Sequence, residues 1–360
     1  MRNKRSRPRK NNHDPPEISH CSTKRKKIEE KLEVCSESDS DEEGPFDTPL
    51  LKLAMLRESA VGHLIDINPF VYQSQLLHHV FVKEFKQPSL DEIWFCVGEK
   101  RIRFSMAEFG LITGLKCVGD SDFSSFAQVE NGMCDRYFPD QTVKYGDIKD
   151  RCTVKYKNDV LVVKFAKLHL IVNFLLSKDK DKPVDTELIN LICSDECDDF
   201  SWGKLAFETT FPYLRKGAKG KNLKNTIYAK KSKVLKGKKP SFLYKLEGCS
   251  WVFHVWIYAC IKKLKDKDIC QCLPNSPFRI CRWKNSSLPT GCSLDRSIFG
   301  SSKFVVDNCI PTTAEMKKFK LSHFPLFPVL LQLKNMVMMQ SRIRVNYEQR
   351  EEPLALCKKM

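Results

Sequence analysis

Near residue 100 the chain alternates apolar and polar positions twice in quick succession. Ile93-Trp94-Phe95-Cys96-Val97 and Arg101-Ile102-Arg103-Phe104 flank Gly98-Glu99-Lys100, which is the pattern of a short β-hairpin. The period then changes. Ser105 stands three residues before Glu108, and Met106, Phe109, Leu111, Ile112 and Leu115 follow at helical spacing, so a helix begins with its own capping box and stops near Gly114. Further helices are predicted over Leu50–Val61, Phe70–Phe85, Val160–Leu176, Asp185–Cys193, Trp202–Leu214 and Trp251–Leu264. In the third of these, Leu161, Phe165, Leu168, Val172 and Leu175 share one face, and few polar positions remain, which implies burial on most sides. Pro212 is expected to disturb the last turn of the helix from Trp202.

After Ser286 the pattern breaks into turns at Pro289, Gly291, Gly300 and Pro311, and Pro325 and Pro328 allow a last helix only near 329–340. The fold class that follows is α+β, mainly α-helical: a helical domain with a short N-terminal β-hairpin. Its expected divisions are a disordered charged tail over residues 1–48, a domain over 49–285, and a turn-rich C-terminal extension over 286–360.

Particular residues in these elements carry a resemblance. Trp94-Phe95, Gly98, Arg101 to Ser105, Glu108-Phe109 and Thr113 to Cys117 resemble the opening motif of a plant domain of unknown function. That domain is found in transposon-derived proteins alongside ubiquitin-like-protein-specific (SUMO) protease domains. Lys167–Phe174, Phe200–Thr210, Tyr244–Ile261 and Pro277–Trp283 resemble its later blocks in the same order, so the likeness spans roughly residues 50 to 285. Ser201 departs from the pattern, which places proline before the Trp-Gly pair; a serine there is expected to cap the helix instead.

Composition narrows the class. With 42% hydrophobic and 10% aromatic residues over 360 positions, the chain can bury a sizeable core. Its sixteen cysteines are scattered through apolar runs, and the N-terminus MRNKRSRPRK is charged where a secretory segment would be apolar, so reduced thiols are expected rather than disulfides. The apolar run Trp251–Ile261 contains His254 and is too short to span a bilayer, so no membrane partner is expected.

Charge is arranged in blocks. Residues 1–34 hold eleven Lys and Arg against five Asp and Glu, and residues 36–43 add five acids, so the tail contributes only +1 to the overall +17. Within it, Lys4, Arg5, Arg7, Arg9 and Lys10, then Lys24, Arg25, Lys26 and Lys27, are spaced like a bipartite nuclear-import signal, which points to an import carrier and to the nucleus. Ser36, Ser38 and Ser40 each have an acidic residue three positions on, the pattern acidophilic kinases favour. The larger excess sits in Arg215–Lys239, where Arg215, Lys216, Lys219, Lys221, Lys224, Lys230, Lys231, Lys233, Lys236, Lys238 and Lys239 meet no acid. Three glycines and the lone Tyr228 suggest a mobile loop or weak helix that grips nucleic-acid backbone nonspecifically, or a solvated insertion.

Catalytic chemistry finds few footholds. The protease that accompanies the resembled domain uses a His-Trp pair, an aspartate, and a glutamine shortly before a Cys-Gly pair; neither pair occurs in this sequence. Gln128 precedes Cys134, but Asp135 follows, and His63, His78 and His79 lack the tryptophan neighbour. Cys270, Cys272, Cys281 and Cys292 offer thiolates, as do Cys193 and Cys197, without the Cys-x-x-Cys knuckles of structural zinc. His254 lies in an apolar helix and reads as a core histidine. No cofactor is expected. The sequence therefore favours a non-enzymatic nuclear protein-interaction module, then a nucleic-acid-binding accessory, and last the remnant of a SUMO-protease-like protein without its catalytic domain.

Overall fold

A computed structural model describes residues 49–85, 90–127, 137–138, 142–148, 159–218, 244–300 and 305–324. The polypeptide starts with α1 (Pro49–Glu58), a 3-10 turn (Gly62–Asp66) and α2 (Ser74–Phe81), then forms β1 (Glu84–Phe85), β2 (Glu92–Val97) and β3 (Lys100–Ser105). It continues with α3 (Met106–Thr113), α4 (Asp159–His169), which runs on as a π-helix (Leu170–Leu176), α5 (Thr186–Cys193), α6 (Trp202–Ala218) and α7 (Trp251–Cys260). Shorter pieces follow: α8 (Lys263–Asp266), β4 (Gln271–Cys272), α9 (Arg279–Arg282), β5 (Trp283–Lys284), α10 (Gly291–Leu294) with a π-helical turn (Asp295–Phe299), and α11 (Thr313–Lys318). The class is α+β with helices dominant.

The hairpin and its helix form as the residue pattern predicts. Val97 pairs with Lys100 across the two-residue loop Gly98–Glu99, and Ile93, Phe95 and Val97 point into the core with Ile102 and Phe104. The Ser105 hydroxyl accepts from the Ala107 N–H, while Glu108 Oε2 accepts from the Ser105 N–H at 2.8 Å, which completes the capping box. Gly114 closes α3 with φ 72°, and a Cβ there would lie 2.5 Å from the Phe278 ring, so position and packing both require glycine. A third strand joins this sheet: β1 pairs antiparallel with β2, Phe85 opposite Trp94.

The core is threaded on α7, nearly all of whose side chains are buried. Phe253 packs against Phe81, Phe95 and Phe104 with ring centroids 5.1–5.7 Å apart, and Trp256 meets Phe95 and Phe104 at 5.5 and 5.4 Å. These edge and offset contacts add to the apolar burial that dominates the stability. On α4 and its π extension the predicted face is buried at Phe165, Leu168, Val172 and Leu175, with Leu161 half-buried. Residues from Gly291 onward also reach the core, through Leu294, Ile298, Val306, Cys309 and Leu321. Arg279 holds this part in place, with bonds of 2.8 and 2.7 Å to the two oxygens of Glu315.

Three local expectations are corrected. The helix expected over Phe70–Phe85 starts only at Ser74, because the Asn285 side chain takes both polar groups of Val71, accepting from its N–H at 2.6 Å and donating to its carbonyl at 2.9 Å. The stretch Phe70–Gln73 is thereby kept out of the helix. The helix from Trp251 breaks after Cys260, where Ile261 bridges Val306 and the Asp307 N–H donates to the Cys260 carbonyl. α6 passes through Pro212 and continues to Ala218, absorbing the missing donor without a break. Ser201 starts α6 through its backbone, its carbonyl accepting from the Lys204 and Leu205 N–H groups, while its hydroxyl donates to the Val118 carbonyl at 2.7 Å. The last predicted helix, near 329–340, lies outside the described residues.

Candidate functional site

Three stretches of backbone meet at the N-terminal end of α7 and leave a cavity of about 310 Å³ between them. Phe70 and Tyr72 come from the extended stretch before α2, Asn173, Phe174 and Ser177 from the π-helix end, Tyr244, Leu246, Gly248, Cys249 and Ser250 from the approach to α7, and Trp251 from its first turn. Each wall has a local cause. Period-two backbone puts Phe70 and Tyr72 on one side, and the Asn285 clasp on Val71 between them fixes that geometry. Phe70 stacks on Trp251 with centroids 3.8 Å apart and planes 10° apart. The π-helix ends with the Ser177 N–H bonded to the Val172 carbonyl, five residues back, and the Ser177 φ is 33°. Gly248 donates to the Leu176 carbonyl with φ 82°, and a Cβ there would sit 2.2 Å from Thr210 Oγ1, so α6, the π-helix and the approach to α7 close on one another only around glycine.

The lining is aromatic and uncharged. Burial pushes the Tyr72 and Tyr244 hydroxyls up to about 12, so both stay neutral, and Tyr244 is held by a 2.8 Å hydrogen bond with His78 Nδ1. Two polar groups at this end have unused capacity. The Trp251 indole N–H has no hydrogen-bond partner, and the Tyr72 hydroxyl, with the Ser250 side chain nearby, completes no hydrogen bond. The charged neighbours of the lining residues in sequence pair with one another: Lys245 bonds Asp179 at 3.0 Å and approaches Glu247 at 3.4 Å, and Lys178 lies 3.9 Å from Asp185. Burial alone would raise Glu247, but hydrogen bonds from Lys182, Tyr213 and Lys245 outweigh it and hold the carboxylate below its ordinary range. That acid is thus already matched by two lysines.

The residues singled out by the sequence are distributed as follows. Arg215 and Lys216 occupy the last turn of α6, with the Arg215 guanidinium donating to the Leu90 carbonyl. Lys219, Lys221, Lys224, Lys230, Lys231, Lys233, Lys236, Lys238 and Lys239 lie outside the described residues, as do the basic clusters Lys4–Lys10 and Lys24–Lys27, the serines Ser36, Ser38 and Ser40, and Gln128 with Cys134. The two described ends of the lysine-rich segment converge, however. A Cβ on Gly217 would touch the Phe81 ring at 3.0 Å, and the Tyr244 ring is 5.2 Å from the same ring. Gly217 and Tyr244, on either side of the undescribed residues, are thus both held against Phe81.

The titratable groups elsewhere are set for structural work. His63 stacks on Phe278 and bonds the Thr113 carbonyl at 2.7 Å, and burial lowers its pKa to about 4 against that hydrogen bond; burial likewise lowers His254 to about 4. His79 bridges the Gln75 carbonyl and Asp295. Burial pushes the thiols of Cys117, Cys197 and Cys270 up to about 12, and raises Cys260 and Cys309 too, although Arg279 approaches the Cys309 sulfur at 3.1 Å. Such thiols stay protonated and are poor nucleophiles. Among the described residues no group of three or more His, Cys, Asp or Glu is placed to hold a metal, no disulfide links the cysteines, and no helix is long and apolar enough to cross a membrane.

Residues 81–212 match the model of a domain of unknown function, DUF1985. The match takes in the hairpin, α3, and the blocks Lys167–Phe174 and Phe200–Thr210, while Tyr244–Ile261 and Pro277–Trp283 lie beyond it. One pocket wall, Asn173 to Ser177, belongs to the matched stretch, and the aromatic walls from Phe70, Tyr72, Tyr244 and Trp251 lie on either side of it in sequence. No curated protein and no solved structure matches the chain. The sequence reading missed this pocket because it placed Phe70 and Tyr72 in a helix. Their alternation about Val71, next to Pro69, was the available signal.

Proposed function

We propose that this chain is a non-enzymatic protein-interaction module, working in the nucleus, that takes a side chain of its partner into the aromatic pocket at the N-terminus of α7. The observation that carries the reading is the lining itself: five rings, Phe70, Tyr72, Phe174, Tyr244 and Trp251, with no charged side chain among the lining residues. A partner side chain inserted there exchanges water for ring contact, and buried aromatic anchors dominate the energy of most protein interfaces. The cavity has room for one such side chain, in line with a single anchor in a shallow interface. Protonated thiols and neutral, buried imidazoles favour a binding role over acyl-transfer chemistry. The nuclear setting rests on the two basic clusters of the N-terminal tail, and an ancestry among plant, transposon-derived proteins rests on the resemblance of the hairpin–helix motif.

Selection of peptides from a random library on the intact chain tests the reading. Enriched sequences should share one large apolar residue, and Phe174→Ala, which opens the pocket wall, should abolish the enrichment while the circular-dichroism spectrum is unchanged. Enrichment that is indifferent to Phe174→Ala would place binding elsewhere.

A second reading has its own observation. α6 ends in Arg215 and Lys216 and leads into a segment whose remaining charges are all positive, which suits nonspecific contact with phosphate. Neutralising Lys230, Lys231, Lys233, Lys236, Lys238 and Lys239 should then abolish retention on DNA and flatten its salt dependence. Unchanged retention excludes this reading.

A further inference from the structure

We infer that the side chain taken into the pocket is an unmodified tyrosine of the partner protein, an inference that rests on the docking reading above. The aromatic walls select a ring. Phe70, Tyr72, Phe174 and Tyr244 are all half-buried at the cavity, so part of each remains to be covered by an occupant. Ring pairs that stack offset or meet edge to face gain more than the area they bury. An aliphatic side chain fills the same space without that gain.

The polar lining selects a hydroxyl on that ring. Asn173 Nδ2 meets His169 Nδ1 at 3.2 Å, while the Asn173 carbonyl oxygen bonds to no described residue. The Ser177 hydroxyl, at the end of the same π-helix, likewise bonds to none. Both side chains are half-buried, so an occupant that covers them must replace their contact with water or leave them unpaired at a cost. The Asn173 oxygen needs a donor, and the Ser177 O–H needs an acceptor. A phenol supplies both from one atom at the tip of a ring, whereas phenylalanine supplies neither and tryptophan only the donor.

Charge weighs against the other occupants. No lining residue is charged, and the charged side chains next to them in sequence are already matched, Lys178 with Asp185 and Lys245 with Asp179 and Glu247. The phosphate of a phosphotyrosine or a nucleotide therefore meets no unpaired cation among these residues. A trimethylated lysine is the cation that aromatic walls favour, but it has neither an N–H nor a lone pair for Asn173 and Ser177. The carboxamide of glutamine has both and lacks the ring.

The test takes the peptide most enriched from a random library on the intact chain and varies the residue that the enriched sequences share. Labelled versions carry Tyr, phosphotyrosine, Phe, Gln, trimethyllysine or Ala at that position, and fluorescence anisotropy compares them with a single-stranded oligonucleotide. The shared residue should be Tyr. Its version should bind about tenfold more tightly than the Phe version, and the phosphotyrosine version no better than the Ala version. Asn173→Leu should erase the preference for Tyr while the Phe version still binds. If that variant does not fold, Ser177→Gly serves, because glycine adopts the Ser177 φ of 33° freely and lacks the hydroxyl. A preference for Tyr that survives both substitutions overturns the pairing of its hydroxyl with Asn173 and Ser177. A Phe version equal to the Tyr version, or a Gln, trimethyllysine or phosphotyrosine version that binds more tightly, overturns the tyrosine; if Phe174→Ala weakens that binding, the docking reading stands. Failure of any peptide to enrich, or enrichment indifferent to Phe174→Ala, overturns both. An oligonucleotide that binds more tightly than the Tyr peptide, and loses that binding in Phe174→Ala, replaces the protein partner with a nucleobase.

Discussion

The two ends of α7 share one apolar helix and one neighbouring strand, yet they are finished differently. At the C-terminal end the Tyr258 hydroxyl donates to Gln73 Oε1 at 2.8 Å and accepts from Asn285 Nδ2 at 2.6 Å, Gln73 Nε2 reaches the carbonyls of Ile269 and Ser287, and Asn285 clasps Val71. Every member of that network is used. At the N-terminal end, Trp251 and Tyr72 have polar atoms that complete no hydrogen bond, and a cavity opens beside them. Trp256, between the two, also lacks a partner for its indole N–H, but it is sealed among Phe95, Phe104 and Phe253. The two ends thus differ in packing: side-chain bonds fill one, and open space adjoins the other. That space is the cavity into which we propose a partner side chain docks.

Of the substitutions, Asn285→Ala should break the comparison most severely. It strands the backbone groups of Val71 and one bond of Tyr258, and the expected loss is about 3 kcal/mol, read as a shift of the urea midpoint. Acidification comes next. The unfolded chain protonates His63 and His254 near 6.5, while the folded protein resists until about 4. The unfolded state therefore binds more protons in that window, and stability is lost as pH falls through it, by about 2 kcal/mol per histidine at pH 5. A urea midpoint that stays flat from pH 7 to pH 5 would contradict that burial. Tyr258→Phe, at the saturated end, should cost about 1 kcal/mol. Tyr72→Phe, the same chemical change at the open end, should alter stability by less than about 0.5 kcal/mol, because its hydroxyl loses only the loose approach of the Ser250 side chain. Equal costs for the two tyrosine substitutions would erase the distinction between the ends.

Much of the fold could be read from residues because its signals are local. Gly98, the Ser105–Glu108 box and Gly114 specify a turn, a start and a stop within seventeen residues, and the structure follows them. Apart from Pro212, which α6 absorbs, the failures were long-range. Nothing near Val71 announces that Asn285, 214 residues on, will replace its helical hydrogen bonds, nor does the run Trp251–Leu264 reveal that Ile261 leaves it to pair with Val306. β1 has two residues and exists through its pairing with Trp94 and Phe95. The hydroxyl of Ser201 donates to the carbonyl of Val118, 83 residues earlier, a contact no local pattern announces. The pocket is the same kind of object. Its aromatic residues were visible as packing candidates, but their convergence depends on an extended strand, a π-helical ending and a glycine that no periodicity encodes. Composition did mark the lysine-rich segment, and the structure adds that Gly217 and Tyr244, on either side of its undescribed residues, are held against Phe81.

The most direct measurement is a proton–nitrogen NMR titration that follows the tryptophan indole signals as a peptide enriched by selection on the intact chain is added. The Trp251 indole, unpaired at the cavity, should shift and saturate, while that of Trp202, bonded to the Cys197 carbonyl at 2.6 Å, should stay in place. Peptide binding that leaves the Trp251 signal unmoved, or that moves both indoles alike, would show that the open end of α7 is not where the partner docks.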